Sequence, residues 1–164
     1  MNENLIINDI GLNKTMRLEE EIKQHRFHNQ YHKAVVNIIF TNNWLAARQT
    51  EILRPHGITM QQYNVLRILR GQYPKPATIK MIKERMLDKM PDASRIVEKL
   101  RTKGLVERNA RPSDRRNVDV IITPKGLELL SKTDVPEERL EDRLCTLNTE
   151  EITTLNNLLD KLRG

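Results

Sequence analysis

The sequence predicts a mainly α-helical protein that carries one small β-hairpin, which is an α+β fold. Apolar residues recur at helical spacing over most of the chain, and this pattern is typical of amphipathic helices. Two short apolar runs, residues 105–108 and 118–122, flank an arginine-rich turn and indicate the strands of a hairpin. Positive charge is concentrated in the same middle part of the chain, where a polyanion would be bound.

The length and composition favour one domain in a reducing compartment. A chain of 164 residues suits a single domain, or a domain with an appended dimerisation element. Its one cysteine, Cys145, has no partner for an internal disulfide, which fits a reducing environment. No apolar run approaches the roughly 18 residues of a membrane span, and the polar N-terminus lacks the apolar segment of a signal peptide. We therefore expect a cytoplasmic protein.

The formal net charge of +6 is unevenly distributed along the chain. Residues 55–125 hold 16 Lys/Arg against 7 Asp/Glu, which is a net charge of +9. Residues 1–54 have a net charge of +1, and residues 126–164 have a net charge of −4. A basic surface alone is weak evidence of polyanion binding because many solvated surfaces are basic. Its coincidence with a helix and a hairpin in the same segment gives it weight.

Residues 88–123 predict a helix that is followed by a basic hairpin. One face of the helix is expected to be buried because apolar residues recur at helical spacing, namely Ala93, Ile96, Val97 and Leu100. Pro91 suits the first turn, and Gly104 suits the left-handed cap that ends many helices. This order of elements is the outline of a winged helix-turn-helix. Its helix fits a DNA major groove, and its arginine tip fits a neighbouring minor groove.

The hairpin resembles the wing of the multiple antibiotic resistance regulator (MarR) family of bacterial transcription factors. That family's Asp-x-Arg pattern, followed by an apolar-Thr pair, falls on Asp114, Arg116, Ile122 and Thr123. The upstream run SRIVEKLRTKGLV is similar to the family's recognition helix, and the likeness covers roughly residues 30–164. The resemblance implies a symmetric homodimer that binds a pseudo-palindromic operator in double-stranded DNA. It also implies a possible small-molecule effector.

Eight residues are the candidates for DNA contact. Arg95 can bond a guanine edge or clamp a phosphate, and Ser94 can reach either. The resemblance places Arg116 in the minor groove and gives Asp114 the role of holding the hairpin by pairing with a nearby arginine. The full candidate set is Asp92, Ser94, Arg95, Lys99, Arg111, Asp114, Arg115 and Arg116. The alternative for each of them is an ordinary solvated surface residue.

Four segments follow from these patterns. Residues 1–17 are expected to be an N-terminal arm, either ordered or a frayed end. Residues 18–54 are expected to form one long dimerisation helix because no proline or glycine interrupts them. Residues 55–125 form the winged helix-turn-helix, and residues 126–164 form C-terminal dimerisation helices that are separated at Pro136. The leucine stripes of the last segment are expected to be buried across a two-fold axis. A monomer in which the terminal helices contact only each other is the alternative.

Helix-start signals occur at three further places. Thr59 and Gln62 have the spacing of a capping box, and Asn148 and Glu151 have the same spacing. Thr123 followed by Pro124 predicts an N-cap and a first helical residue. Backbone N–H groups at the helix start near Thr59 would be available to a phosphate.

Other candidate sites are weaker. His25, His28 and His32 have the spacing of one helix face, but no cysteine or carboxylate cluster accompanies them, so no metal or other cofactor is expected. Trp44 could line a ligand pocket, although core packing is the better interpretation. Nothing indicates an enzyme, because the chain has no phosphate-binding glycine loop, His-Glu-x-x-His motif or serine elbow.

The patterns together favour a sequence-specific DNA-binding regulator, most simply a homodimeric repressor that a small ligand releases. The alternative from another class is a winged-helix module for protein–protein assembly that does not bind DNA. RNA binding is disfavoured because only two Phe, three Tyr and one Trp are available to stack unpaired bases.

Overall fold

A computed structural model describes residues 17–111, 114–142 and 146–164, with side chains over residues 17–109, 118–134 and 146–164. The helices and strands in these ranges follow one another as α1 (Leu18–Glu21), α2 (Gln30–Leu53), α3 (Met60–Arg70), β1 (Ala77–Thr78), α4 (Ile79–Arg85), α5 (Ala93–Thr102), β2 (Val106–Arg111), β3 (Asp114–Ile122), α6 (Pro124–Asp142) and α7 (Thr149–Arg163). The chain comprises two compact units, one ending at Trp44 and the other beginning at Leu45. Among the described residues, no helix is both long and apolar enough to cross a bilayer.

Residues 18–54 do not form the one long helix that the sequence predicted; two separate helices, α1 and α2, lie in this range. Helix α1 is a single turn, and α2 begins only at Gln30. Between them Lys23 adopts a left-handed φ of 53°. The side-chain Oδ1 of Asn29 then accepts the backbone N–H of His32 at 2.8 Å, which caps α2. Asparagine competes with the helical backbone in this way, so a helix can end and restart without proline or glycine. The predicted N-terminal arm lies outside the described residues except for Arg17.

An ion pair joins the irregular start of this unit to α2. The Lys33 ammonium lies 2.5 Å from a carboxylate oxygen of Glu19 and 5.9 Å from the centre of the Phe27 ring. The hydrogen bond from Lys33 holds the pKa of Glu19 below its usual value, and Coulomb attraction to Lys33 and Arg17 adds to this effect. Glu19 therefore stays ionised at neutral pH, and the pair is present under ordinary conditions.

The core of the C-terminal unit confirms the predicted buried face of α5. Ala93, Ile96, Val97 and Leu100 are all buried. They contact apolar residues of the neighbouring helices and strands, which include Leu66, Leu69, Ile82, Met86, Val106, Val120, Ile122 and Leu130. Full burial of one aliphatic side chain is worth roughly 1.5–3 kcal/mol, so this stripe fixes the rotation of α5 about its own axis. The opposite face of α5 is consequently held toward solvent.

A three-stranded antiparallel sheet lies beside the helices, with strand order β1-β3-β2. Strands β2 and β3 form the predicted hairpin, with Val106 opposite Ile122 and Arg111 opposite Asp114. Strand β1 was not predicted, because two residues carry no pattern of alternation and its pairing with β3 is distant in sequence. Ala77 lies opposite Val120, and both side chains are buried, so β1 extends the sheet beside β3 and contributes to the core.

The end of α5, both ends of the hairpin and the start of α6 meet at one place, which we call the Gly104–Gly126 junction. Gly104 has a φ of +71°, and the N–H of Leu105 donates to the Leu100 carbonyl at 3.1 Å, as in a Schellman cap. The Thr123 hydroxyl donates to the Gly104 carbonyl at 2.8 Å and accepts the Gly126 N–H at 3.1 Å. The Thr123 N–H also donates to the Leu105 carbonyl at 3.1 Å.

The predicted helix starts are confirmed. Thr59 and Gln62 form a reciprocal capping box at α3, and Asn148 and Glu151 form another at α7. Thr123 caps α6, whose first residue is Pro124, through the bond from Gly126 described above. These local hydrogen bonds satisfy N–H groups that lack an intrahelical partner, which is why short sequence motifs predict them well.

The predicted break between two helices at Pro136 is wrong. The helix continues from Pro124 to Asp142 and therefore runs through that proline. A proline inside a helix removes one backbone hydrogen bond and commonly bends the helix without ending it. Helix α6 is tied to α3 by the Arg70 guanidinium, which donates to both carboxylate oxygens of Asp134 at 3.0 and 2.8 Å.

Gly126→Ala should destabilise the protein. A methyl group at Gly126 would lie 2.4 Å from the Leu105 carbonyl oxygen and 2.7 Å from Cγ1 of Ile122, so the junction would have to move. We expect a loss of roughly 1–3 kcal/mol in the free energy of unfolding, measured by denaturant titration.

Gly71→Ala is the matched control for this substitution. Its added methyl group would be 3.6 Å from the nearest atoms, and its backbone is already right-handed with a φ of −67°. The control should be neutral or stabilising by about 0.4–1 kcal/mol. Equal unfolding midpoints for the two variants would contradict the close approach at Gly126.

Candidate nucleic-acid interface

The exposed face of α5 carries three of the eight candidates for DNA contact, namely Ser94, Arg95 and Lys99. Ser94, Arg95, Lys99 and Thr102 are all exposed. The ion pairs of this helix among the described side chains involve Glu98 and Arg101, whereas the charges of Arg95 and Lys99 face solvent. The N-terminal residues of a recognition helix are those that reach base edges in a helix-turn-helix complex. The structure therefore brings Ser94, Arg95 and Lys99 together on a face with the right chemistry for DNA.

Asp92 has a structural role that its sequence position did not reveal. Its Oδ1 atom accepts the backbone N–H groups of Ser94 at 2.9 Å and Arg95 at 3.4 Å, so Asp92 is the N-cap of α5. Pro91 consequently lies before the helix and not in its first turn, which corrects the expectation above. A capping aspartate stabilises a helix by about 1 kcal/mol, and here it also orients the first reading residues.

The turn between α4 and α5 is anchored to α3 and exposes two apolar side chains. The Leu87 N–H donates to the side-chain oxygen of Asn64 at 3.0 Å. The side chains of Leu87 and Met90 are 83% and 92% exposed, so they contribute little to the core. This turn separates α4 from α5 by residues 86–92, and the two helices form the predicted helix-turn-helix.

The hairpin supplies the remaining candidates. Arg111 ends β2, and the backbones of Asp114, Arg115 and Arg116 begin β3. The ladder is irregular between Ala110 and Arg111, and Arg111 then pairs in register with Asp114. The side chains of these four candidates lie outside the described residues, so the expected pairing of Asp114 and the minor-groove placement of Arg116 stay predictions.

A carboxylate connects α5 to the hairpin. Glu98 accepts three hydrogen bonds from Arg101, the shortest of 2.7 Å from Nη2, and lies 3.5 Å from Nη1 of Arg108 on β2. The bonds from Arg101 chiefly lower the pKa of Glu98, and Arg108 adds to this effect. The sequence patterns did not identify Glu98 as a candidate site residue or predict this contact. The i, i+3 spacing of Glu98 and Arg101 was the available signal.

The side chain of Gln62 at the start of α3 is engaged within the protein, while phosphate contact by backbone N–H groups there stays a prediction. Gln62 is only 4% exposed, and its Oε1 accepts the Thr59 N–H at 3.2 Å and the Lys103 ammonium at 3.0 Å. Lys103 also donates to the Gly57 carbonyl at 2.5 Å. Gln62 and Lys103 therefore hold the end of α5 against the start of α3, and Gln62 is not free to contact a phosphate.

The histidines and Trp44 are placed as follows. His25 and His28 precede α2 and only His32 lies on it, so the expected common helix face is wrong. No group of three or more potential metal-binding side chains occurs within residues 17–109, 118–134 and 146–164.

Trp44 is half-buried in the N-terminal unit and lines an open cavity of about 220 Å³ with Leu18, Glu21, Asn37, Phe40 and Thr41. Cys145 lies outside the described residues.

Comparison with known proteins finds transcription regulators, several of them of the MarR family. Residues 58–118 match the MarR family. A MarR transcription factor from Planctomyces limnophilus is 32% identical, with 82% of this chain and 98% of that chain covered and a TM-score of 0.64. A cysteine-to-serine mutant of MarR from E. coli, in complex with operator DNA, is 25% identical, with 85% and 100% covered and a TM-score of 0.72. The regulator MhqR from Bacillus subtilis is 27% identical over 67% of this chain and 75% of its own length.

Proposed function

The chain belongs to the MarR family of transcription regulators, whose members are not enzymes, and from this premise we propose that two copies bind operator DNA as a homodimeric repressor. The observation that carries the proposal is the fixed position of one basic helix face beside one basic hairpin. The Gly104–Gly126 junction joins α5, whose exposed face carries Ser94, Arg95 and Lys99, to both ends of the arginine-rich hairpin. A duplex offers a major groove to such a helix and an adjacent minor groove to such a tip.

Charge supports the same partner. The net charge of +9 over residues 55–125 lies in the segment that contains α5 and the hairpin. Neutralising phosphates releases counterions, so binding should weaken steeply as salt concentration rises. The E. coli relative that was solved with operator DNA covers 85% of this chain. Phosphate contacts would set the register, while Arg95 and Ser94 would read bases.

Two apolar helix faces support a homodimer. On α2, the side chains of Tyr31, Val35, Ile38 and Ile39 are exposed. On α7, Leu155, Leu158 and Leu162 are exposed, and no residue of that helix is buried. Contiguous apolar helix faces of this kind mark protein–protein contacts, and a second copy of the chain would bury them isologously. A dimer would present two α5 helices roughly 34–36 Å apart, one helical turn of DNA.

Release by a small ligand is the further part of the proposal. The cavity at Trp44 is smaller than a typical drug-sized pocket of roughly 300–1,000 Å³, so it suits a ligand of about one aromatic ring. Phe40 and Leu18 would contact an apolar body, and Glu21 would favour a donor or a positive charge. A ligand that binds one arrangement of the dimer better than another would change the spacing of the α5 helices and weaken DNA binding.

Arg116→Ala should weaken binding to an operator fragment selected from genomic DNA. We expect a loss of roughly 1–3 kcal/mol in binding free energy and a salt slope that is smaller by about one for each lost contact. Fluorescence anisotropy at several salt concentrations would measure both quantities.

Lys132→Ala is the control for Arg116→Ala, because Lys132 pairs with Glu128 on α6 outside the proposed interface. It should leave both quantities near the wild-type values. An unchanged affinity and salt slope for Arg116→Ala would show that the minor-groove assignment is wrong. If the wild type binds no duplex even at low salt, the winged-helix assembly module becomes the better hypothesis.

Leu158→Glu should convert the proposed dimer into a monomer, because each protomer then places one negative charge in the apolar interface. Sedimentation equilibrium would measure the mass, and anisotropy would show the accompanying loss of operator affinity. Leu87→Glu is the matched control for the mass, since Leu87 is also an exposed leucine but lies in the α4–α5 turn. A wild-type protein that sediments as a monomer at micromolar concentration would refute the dimer.

The ligand proposal predicts a fluorescence signal from Trp44, which is the one tryptophan of the chain. A panel of single-ring amines and phenols would be titrated into the protein–DNA complex, with tryptophan emission and DNA anisotropy recorded together. We expect the compounds that release DNA to change the Trp44 emission over the same concentration range. A compound that releases DNA without changing the emission would place the effector site elsewhere.

A further inference from the structure

Glu98 lies near the centre of the exposed face of α5. Successive residues of an α-helix are rotated by about 100°, so Glu98 and Arg95 flank the direction opposite the buried stripe. The side chain of Glu98 is 41% exposed. A carboxylate at this position would face the phosphates and base edges of a bound duplex, where its charge opposes binding unless it has a partner.

Two arginines from two different elements surround this carboxylate. Arg101 on α5 donates from Nε to both carboxylate oxygens at 3.1 Å and from Nη2 to Oε1 at 2.7 Å. Arg108 on β2 approaches Oε2 with Nη1 at 3.5 Å. The same contacts keep the pKa of Glu98 below its usual value, so the carboxylate is charged at the pH of DNA binding.

The contact of Glu98 with Arg101 and Arg108 is expected to affect DNA affinity more than the stability of the fold. The side chains of Glu98, Arg101 and Arg108 are 41%, 51% and 38% exposed, and ion pairs this exposed contribute little to folding. Each phosphate contact that a freed guanidinium makes, in contrast, changes the salt dependence of DNA binding measurably. Removing the Glu98 charge should therefore affect DNA affinity much more than the free energy of unfolding.

We propose that Glu98 is a specificity-determining residue of the DNA interface, which holds Arg101 and Arg108 away from phosphates and thereby suppresses sequence-independent binding. This inference rests on the proposed DNA-binding function. A non-specific complex is held by phosphate contacts alone, so it can adopt any position on the duplex in which the freed arginines contact phosphates. An operator complex has its position fixed by base contacts, so it gains less from the same arginines. Glu98 therefore raises the ratio of operator affinity to non-specific affinity.

The test compares Glu98→Gln with Glu128→Gln. Glu128 is a matched control because it also pairs with a basic residue, Lys132 at 2.7 Å, and its pKa is likewise lowered, but it lies on α6. Both substitutions remove one negative charge per protomer, so overall charge is the same in the two variants. Dissociation constants would be measured for a selected operator duplex and for a scrambled duplex of equal length, at salt concentrations from about 50 to 200 mM.

The expected result concerns the scrambled duplex first. Glu98→Gln should bind the scrambled duplex more tightly than the wild type does. Its loss of affinity for that duplex between the lowest and the highest salt concentration should be larger, by roughly threefold for each new phosphate contact. Operator affinity should rise less, so the specificity ratio falls by several-fold. Glu128→Gln should match the wild type in all of these measurements. Adding Arg108→Gln to Glu98→Gln should return scrambled-duplex binding toward the wild-type value.

Several outcomes would overturn the inference. If Glu98→Gln strengthens both duplexes equally, Glu98 acts as a general charge and does not determine specificity. If it weakens both with an unchanged salt slope, Glu98 only positions the hairpin. If the salt dependence of DNA binding is the same for Glu98→Gln and Glu128→Gln, the loss of Glu98 frees no arginine to contact phosphates. A wild-type protein that binds neither duplex would overturn the proposed function itself, which distinguishes that failure from the others.

Discussion

The Gly104–Gly126 junction is the constraint on which the candidate DNA-binding face depends. A left-handed glycine ends α5, and the Thr123 side chain bonds the Gly104 carbonyl at 2.8 Å while its backbone N–H bonds Leu105. The two ends of the hairpin are thus attached to the end of the recognition helix within one turn of chain. Because the apolar stripe of α5 fixes its rotation, the direction of the hairpin relative to the exposed face of α5 is set by the hydrogen bonds of Thr123 and by the close contact at Gly126.

Local signals accounted for much of the fold. Capping boxes, the α5 stripe and Gly104 were predictable because each depends on residues within one or two turns of each other. The break between α1 and α2 was missed, and the available signal was Asn29, a residue type that is common at N-caps. The two-residue strand β1 depends on pairing with a strand that is distant in sequence, which local preference does not reveal. No local signal identified the continuation of α6 through Pro136.

The candidate site was predicted in outline but not in its internal contacts. Position on an exposed helix face is readable from periodicity, and this identified Ser94, Arg95 and Lys99. Periodicity does not reveal that Asp92 is used as a cap, or that Glu98 meets Arg108 from a strand ten residues further along. The result is a basic surface with two kinds of arginine and lysine, some free to meet a phosphate and others already paired. Under the proposal for Glu98, this division limits phosphate contacts that carry no sequence information, and base contacts supply the specificity.

The central claim is that two copies of the helix and hairpin contact one duplex with two-fold symmetry. Hydroxyl-radical footprinting of the protein on a selected genomic fragment tests it most directly. We expect two protected half-sites related by a dyad, with centres about 10–10.5 base pairs apart and minor-groove protection on their flanks. A single protected segment, or two segments with no fixed spacing among different fragments, would contradict the claim.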